Sequence, residues 1–377
     1  MGTDEDRAQT TLHNARFPDP VQNVQALNKN VTEWLLGTVK IPDDGADSQQ
    51  PDTFSVYARY LRSLLAPNYT VFSNNTSQNQ WIKENGQDTA QSHYVVSLES
   101  PHNAIHLSLV GYYQKGVYNA SPVIGANGDM GDNETAGFDP IFFFHHCFID
   151  YTFHVWQRLR GLTKRGDLSL IENYPGTILQ EGQPPNFPPG YKITLDTPLI
   201  PYEKQPGVYY TSNDATDLEE LGIVYGPGSL DPILPKSGAK RTSPYELVVP
   251  KFPTTLIAGS NPEEPNPFSV TKWVHNINRA DYEGSFVVRL YARKHDGSEE
   301  VEVGREAVLS RWSVSNCSNC QSHLGVDLYV PIHQQTLDYF AGGDIIWRVG
   351  IQSRAELKTF TPVLQSGVRN EPQIDDL

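Results

Sequence analysis

The hydrophobic positions of this chain change their period once. Between Val21 and Leu35, the positions Val24, Leu27, Val31, Trp34 and Leu35 recur three and four residues apart, which predicts an amphipathic helix. Phe54 to Leu65 predicts a second helix, ended by Pro67. From Phe268 onward the apolar runs are short: Phe286–Tyr291, Val301–Val303, Ala307–Leu309, Val326–Val330 and Ile345–Val349. Turn signals such as His295-Asp296-Gly297 and Gly342-Gly343-Asp344 separate them, which predicts strands packed as a β-sandwich. Asn74–Asp88 is polar and Gly111–Gly137 is rich in Gly, Asn and Tyr, so both are expected as loops. The expected class is α+β, with a helical domain over 1–205, a Pro-rich connector over 206–267 and a β-sandwich domain over 268–377.

Two further helices carry the chemistry. Ser100-Pro101 and Asp139-Pro140 each place a side-chain acceptor at a helix N-cap and a proline at the first helical position, where its missing N–H costs nothing. On the first helix, His102 and His106 are spaced i, i+4 and so share one face. The second runs to Arg160, with Gly161 as its stop, and holds Phe142-Phe143-Phe144-His145-His146. The Phe run predicts an apolar setting, in which imidazoles need partners or a metal. His146 then completes a three-imidazole centre with His102 and His106, suited to Zn²⁺ or Cu²⁺. Asp150, one turn after His146, is placed either to fix a ligand histidine's tautomer or to make an ordinary helix hydrogen bond. Glu99, Asp129 and Glu134 are the nearby carboxylates for acid or base work. The loop between the two helices is placed to lie over the metal.

Composition narrows the partners. Across 377 residues, 29 Lys+Arg against 44 Asp+Glu give a net charge of -15, which argues against nucleic acid and anionic membrane and for a small-molecule ligand. The N-terminus lacks a secretory apolar core and no long apolar stretch occurs, so a cytoplasmic protein is expected. Cys317 and Cys320 form a lone C-x-x-C, read as a reduced pair in a strand region, and Cys147 is expected in the core.

Leu98–His106 and Phe138–Asp150 together resemble the second-copper half of the tyrosinase, catechol oxidase and haemocyanin family. In that family's motif the ligands fall at His102, His106 and His146. Departures are Tyr151, where an arginine is usual, and Gly128-Asp129-Met130, in place of Gly-His-Met. The first-copper set is missing: only His13 and His93 precede His102, and the resemblance starts at Thr10–Pro20, similar to the segment that follows the first copper site in longer relatives.

A lone three-histidine centre supports Lewis-acid chemistry at an open fourth position. A one-metal tyrosinase-like domain followed by a β domain is similar to the fungal cyclopenases. That resemblance implies one Zn²⁺ per chain, with Cu²⁺ as the alternative ion. It also implies a lyase-type, non-redox ring contraction of a cyclopenin-type benzodiazepinedione epoxide to a viridicatin-type hydroxyquinolinone, so that the substrate is a small aromatic heterocycle of quinolone alkaloid biosynthesis. The alternatives are a tyrosinase or catechol oxidase-type copper oxidoreductase, whose first-copper histidines arrive from elsewhere, and a non-catalytic haemocyanin-like protein.

Overall fold

A computed structural model describes residues 20–37, 54–85, 95–109, 129–179, 187–226, 268–311, 314, 323–340, 345–353, 357–360 and 371–376, less the single positions 132, 134, 189 and 283. Helix α1 (Pro20–Leu36) follows the predicted period. Helix α2 (Val56–Ser63) starts at Ser55, whose hydroxyl accepts from the Ala58 N–H at 3.0 Å.

The stretch expected as a polar loop after Asn74 is helical instead. Helices α3 (Tyr69–Ser73) and α4 (Asn75–Asn85) begin where Asn68 Oδ1 accepts from Val71 N at 3.0 Å and Asn74 Oδ1 from Ser77 N at 2.8 Å. Tertiary bonds then override weak propensity. Gln78 Oε1 accepts from Ser97 N at 2.6 Å, so the Gln78 side chain is buried with a partner.

Helices α5 (Glu99–Ser108) and α6 (Ile141–Arg160) are the two histidine helices. Asp139 Oδ1 accepts from Ile141 N at 3.0 Å, and Gly161 closes α6 in the left-handed region at φ 70°. Helix α5 departs from expectation. Its N-cap is Leu98, without a side-chain bond, and Ser100 lies inside the first turn with its hydroxyl engaged elsewhere. The C-terminal half of α6 is fixed by Trp156, fully buried, which donates to Ala66 O at 3.1 Å and stacks on Phe72 with ring centroids 4.8 Å apart. Val155, Leu159, Leu64 and Leu98 complete that cluster.

Short antiparallel pairs follow: β1 (Ile178–Leu179) with β2 (Tyr191–Lys192), and β3 (Pro198–Gln205) with β4 (Val208–Thr211). Strand β4 leads into α7 (Ser212–Thr216) through a capping box between Thr211 and Asp214. The remainder of the expected connector, 227–267, and both Cys317 and Cys320 lie outside the described residues.

The C-terminal strands are β5 (Phe268–Asn278), β6 (Phe286–Arg293), β7 (Glu300–Val308), β8 (Gly325–His333), β9 (Ile346–Gln352), β10 (Leu357–Phe360) and β11 (Gln373–Asp376), with helix α8 (Gln334–Phe340) between β8 and β9. They form a four-stranded antiparallel sheet, β10-β9-β6-β7, and a three-stranded one, β11-β5-β8. Val288, Leu290, Val349 and Ile351 of the first sheet share one apolar cluster with Val274, Leu328, Val330 and Ile332 of the second. Helices and sheets also share core: Trp34, Val56, Ala104 and Leu107 pack with Val287 and Ala307. Helix α5 therefore rests directly on the four-stranded sheet. Among the described residues no helix is long and apolar enough to cross a membrane.

Candidate metal centre

Helix α5 presents His102 and His106, and α6 presents His145 and His146. The structure brings all four rings together. His102 lies 4.6 Å from His106, 5.0 Å from His145 and 5.0 Å from His146, centroid to centroid. Ligand atoms of His102, His106 and His145 all fall within 4.8 Å of one another. His146 is also close, its Nε2 3.4 Å from His102 Nε2, with Phe142 packed on its ring at 4.2 Å. The local sequence favours His146 as third member, whereas the compact grouping contains the neighbouring His145.

Hydrogen bonds settle the tautomers of the α5 pair. His106 Nδ1 lies 2.8 Å from Met130 O, and a carbonyl only accepts, so the proton is on Nδ1 and Nε2 carries a bare lone pair. That Nε2 is buried with no partner, as is Nε2 of His145. His102 Nδ1 lies 2.9 Å from Asn103 Oδ1, which turns its Nε2 toward the same space. Burial lowers the affinity of all four rings for a second proton. His106 falls to about 4 and His145 to about 3, with the neighbouring imidazoles adding to the effect of burial in both. Neutral imidazoles with orphaned, converging Nε2 atoms are a donor set that fits a divalent transition metal.

The orienting partners of His106 and His102 are Met130 O and Asn103 Oδ1, which local sequence reasoning missed. Asp150 is exposed and makes no hydrogen bond to any of the four imidazoles among the described residues. Glu99 is a structural acceptor: Asn75 N donates to its Oε2 at 2.8 Å, and Asn103 Nδ2 to its Oε1 at 3.5 Å. Asp129 sits on the 3₁₀ turn Asp129–Gly131 that supplies the Met130 carbonyl, while Glu134 lies outside the described residues.

The aromatic run does not bury α6 as expected. Phe143 is 61% exposed, Phe144 72% and Phe148 47%, and Cys147, expected in the core, is exposed too. An apolar cavity of about 660 Å³ opens beside His145, lined by Leu35, Val56, Tyr60, Ile105, Phe144 and Phe148 among others. Among the described residues Tyr60 of α2 meets Phe148 edge-on at 5.0 Å between ring centroids, but Phe143 and Phe144 stay open, although the composition of this face is that of an interior surface.

The model of the common central domain of tyrosinase matches residues 4–159. A tyrosinase from Hahella sp. is 41% identical over 347 residues, spanning 90% of this chain and 57% of that protein. A tyrosinase from Aspergillus oryzae is 36% identical over 329 residues, spanning 83% of this chain and 55% of that one. The solved structure of a tyrosinase from Burkholderia thailandensis at high pH aligns with a TM-score of 0.66 at 34% identity, covering 100% of this chain and 68% of its own. The chain belongs to the tyrosinase family, and it spans little more than half the length of the two curated relatives. Membership implies a metal cofactor, in accord with the three-histidine grouping.

These likenesses overturn the cyclopenase expectation. Relatives 36% and 41% identical over most of the chain are named tyrosinases, so the zinc-dependent ring contraction, its lyase class and its quinolone substrate do not stand. Three imidazoles look the same locally whether they serve a lone Lewis acid or one half of a pair.

Proposed function

We propose that this chain supplies the second-copper half of a tyrosinase-type oxidoreductase acting on phenols or catechols. The observation that carries this reading is the convergence of bare, buried Nε2 atoms from α5 and α6 within a family of tyrosinases. In this assignment His102 and His106 are two ligands and His146 is the third, in keeping with the family motif and with the 3.4 Å between its Nε2 and that of His102. A second reading gives the third place to His145, favoured by its buried, partnerless Nε2. When bound, copper supplies one-electron redox chemistry toward dioxygen and phenols.

This chain's own residues do the rest. Burial keeps the imidazoles neutral at neutral pH, so no proton has to leave before they ligate. Met130 O and Asn103 Oδ1 hold the rings of His106 and His102 in orientation. The exposed face of Phe143, Phe144 and Phe148, with the apolar cleft beside it, is where polypeptide bearing the other metal's imidazoles packs. What supports this is that the face is both apolar and open. The two C-terminal sheets form a β-sandwich domain.

Oxygen uptake with a catechol, measured on copper-loaded protein that includes the complementary histidine-bearing polypeptide, tests the reading. Turnover that His102→Ala abolishes supports it. Copper-loaded, dinuclear protein that takes up no oxygen with any phenol or catechol overturns it.

A further inference from the structure

We propose that Glu306 on β7 and Arg59 on α2 are positioning residues for the metal centre, acting through the Ser100 hydroxyl on the first turn of α5. The inference rests on the metal centre proposed above. Its residues lie on the opposite side of α5 from the histidines.

Ser100, Ala104 and Leu107, spaced i, i+4, i+7, share one helical face. Ala104 and Leu107 pack on Val287 and Ala307 of the four-stranded sheet. His102 and His106 each follow a member of that face by two residues, about 200° further round the axis, and so project toward α6. What grips the sheet side of α5 therefore sets where the imidazoles point.

The grip at the N-terminal end is polar and saturated. Ser100 Oγ donates to Glu306 Oε1 at 2.9 Å and accepts from Arg59 Nη1 at 2.7 Å, while Arg59 Nη1 also reaches Glu306 Oε2 at 2.8 Å. Arg59 is fully buried. Its Nε donates to Phe54 O at 3.0 Å and its Nη2 to Arg305 O, so the segment just before α2 and strand β7 both hold it in place. Charge-assisted bonds of this kind are the strong ones, and removal of one partner strands the other's charge. Helix α5 has no side-chain cap, and this triangle ties its first turn to the sheet.

Small errors matter at such a site. Side-chain tips lie about 5–6 Å from a helix axis, so a rotation of about 10° moves them by about 1 Å. Metal–ligand bonds tolerate about 0.2 Å. A hydroxyl that fixes the rotation of α5 is thus coupled to ligand geometry although it touches no ligand. The sheet domain is then part of the scaffold of the centre, in addition to any role in covering it.

The test uses the full chain and Cu²⁺ alone, with affinity read by chelator competition, coordination by electron paramagnetic resonance, and amide hydrogen exchange over 99–106 in the metal-free protein. Ser100→Ala and Glu306→Gln are expected to weaken Cu²⁺ binding about tenfold or more, to alter the copper spectrum and to speed exchange in α5. Ser100→Thr, which keeps the hydroxyl, is expected to retain wild-type behaviour. Val349→Ala, in the sheet core, is expected to lower the melting temperature without moving copper affinity or α5 exchange.

Wild-type affinity and exchange in Ser100→Ala, or equal losses in Val349→Ala, overturn the inference. Where Glu306→Gln fails to fold, Ser100→Ala decides alone, since it removes one oxygen. A wild-type chain that binds no Cu²⁺ counts against the proposed metal centre, and the exchange comparison then still judges the positioning role by itself.

Discussion

The Nε2 atoms of His102 and His146 stand 3.4 Å apart across the α5–α6 interface. Two nitrogens on one tetrahedral ion, each bonded at about 2.0 Å, are separated by about 3.3 Å. Substitution separates the two members of the α6 pair. His146→Ala is expected to weaken Cu²⁺ binding at least tenfold more than His145→Ala, in chelator competition on the full chain. The opposite order transfers the third ligand position to His145.

Acid sensitivity follows from the same rings. His106 and His145 bind their second protons at about 4 and about 3 in the folded chain, against an ordinary 6.5. Between those values the unfolded chain takes up protons that the folded chain refuses. The stability of the metal-free protein is therefore complete above about pH 6.5 and declines as pH falls toward 4 and 3. Denaturant midpoints measured across this range are expected to fall with pH, and to fall less steeply in a His106→Gln, His145→Gln variant. A flat profile in the parent chain contradicts the depressed values.

The two ends of α6 are predicted to differ sharply. Phe144 is 72% exposed, so Phe144→Ser is expected to change folding stability by less than about 0.5 kcal/mol. Trp156 is fully buried and bonded to Ala66 O, so Trp156→Ala is expected to cost about 3–5 kcal/mol. Denaturation of the two variants checks this, and equal losses would show that the aromatic face is covered within this chain.

A third packing test lies between the sheets. A Cβ on Gly304 would come within 2.6 Å of Val330 Cγ1 and 2.8 Å of Cγ2. Gly304→Ala is expected to destabilise by about 1–3 kcal/mol through overpacking. Adding Val330→Ala is expected to return part of that loss, since the two sites are in contact and non-additive. Strict additivity of the two changes contradicts the close approach.

Helices α1, α2 and α6 were legible in the chain because their apolar spacing and stop residues are strong and local, Gly161 above all. Strands β6, β7, β8 and β9 were legible as short β-type runs bounded by turns. Helices α3 and α4 were not, since polar segments become helical here through asparagine caps and through Gln78, whose partner Ser97 is distant in sequence. The role of Ser100 was hidden for the same reason. Its sequence context reads as an N-cap, but its partner Glu306 is 206 residues away. His102 and His106 stand out in the sequence through their i, i+4 spacing taken with the aromatic His145-His146 helix and the family motif, whereas Met130 enters the grouping through its backbone carbonyl, which leaves no trace in residue identity. The family motif was recognisable, but the reaction was misassigned, because local pattern cannot distinguish a complete mononuclear site from half of a dinuclear one.

Copper content of the full chain after loading and removal of free metal tests the central claim most directly. The account predicts one ion per chain in the parent and loss of that ion in both His102→Ala and His106→Ala. A parent chain that retains no copper, or variants that retain as much as the parent, would contradict it.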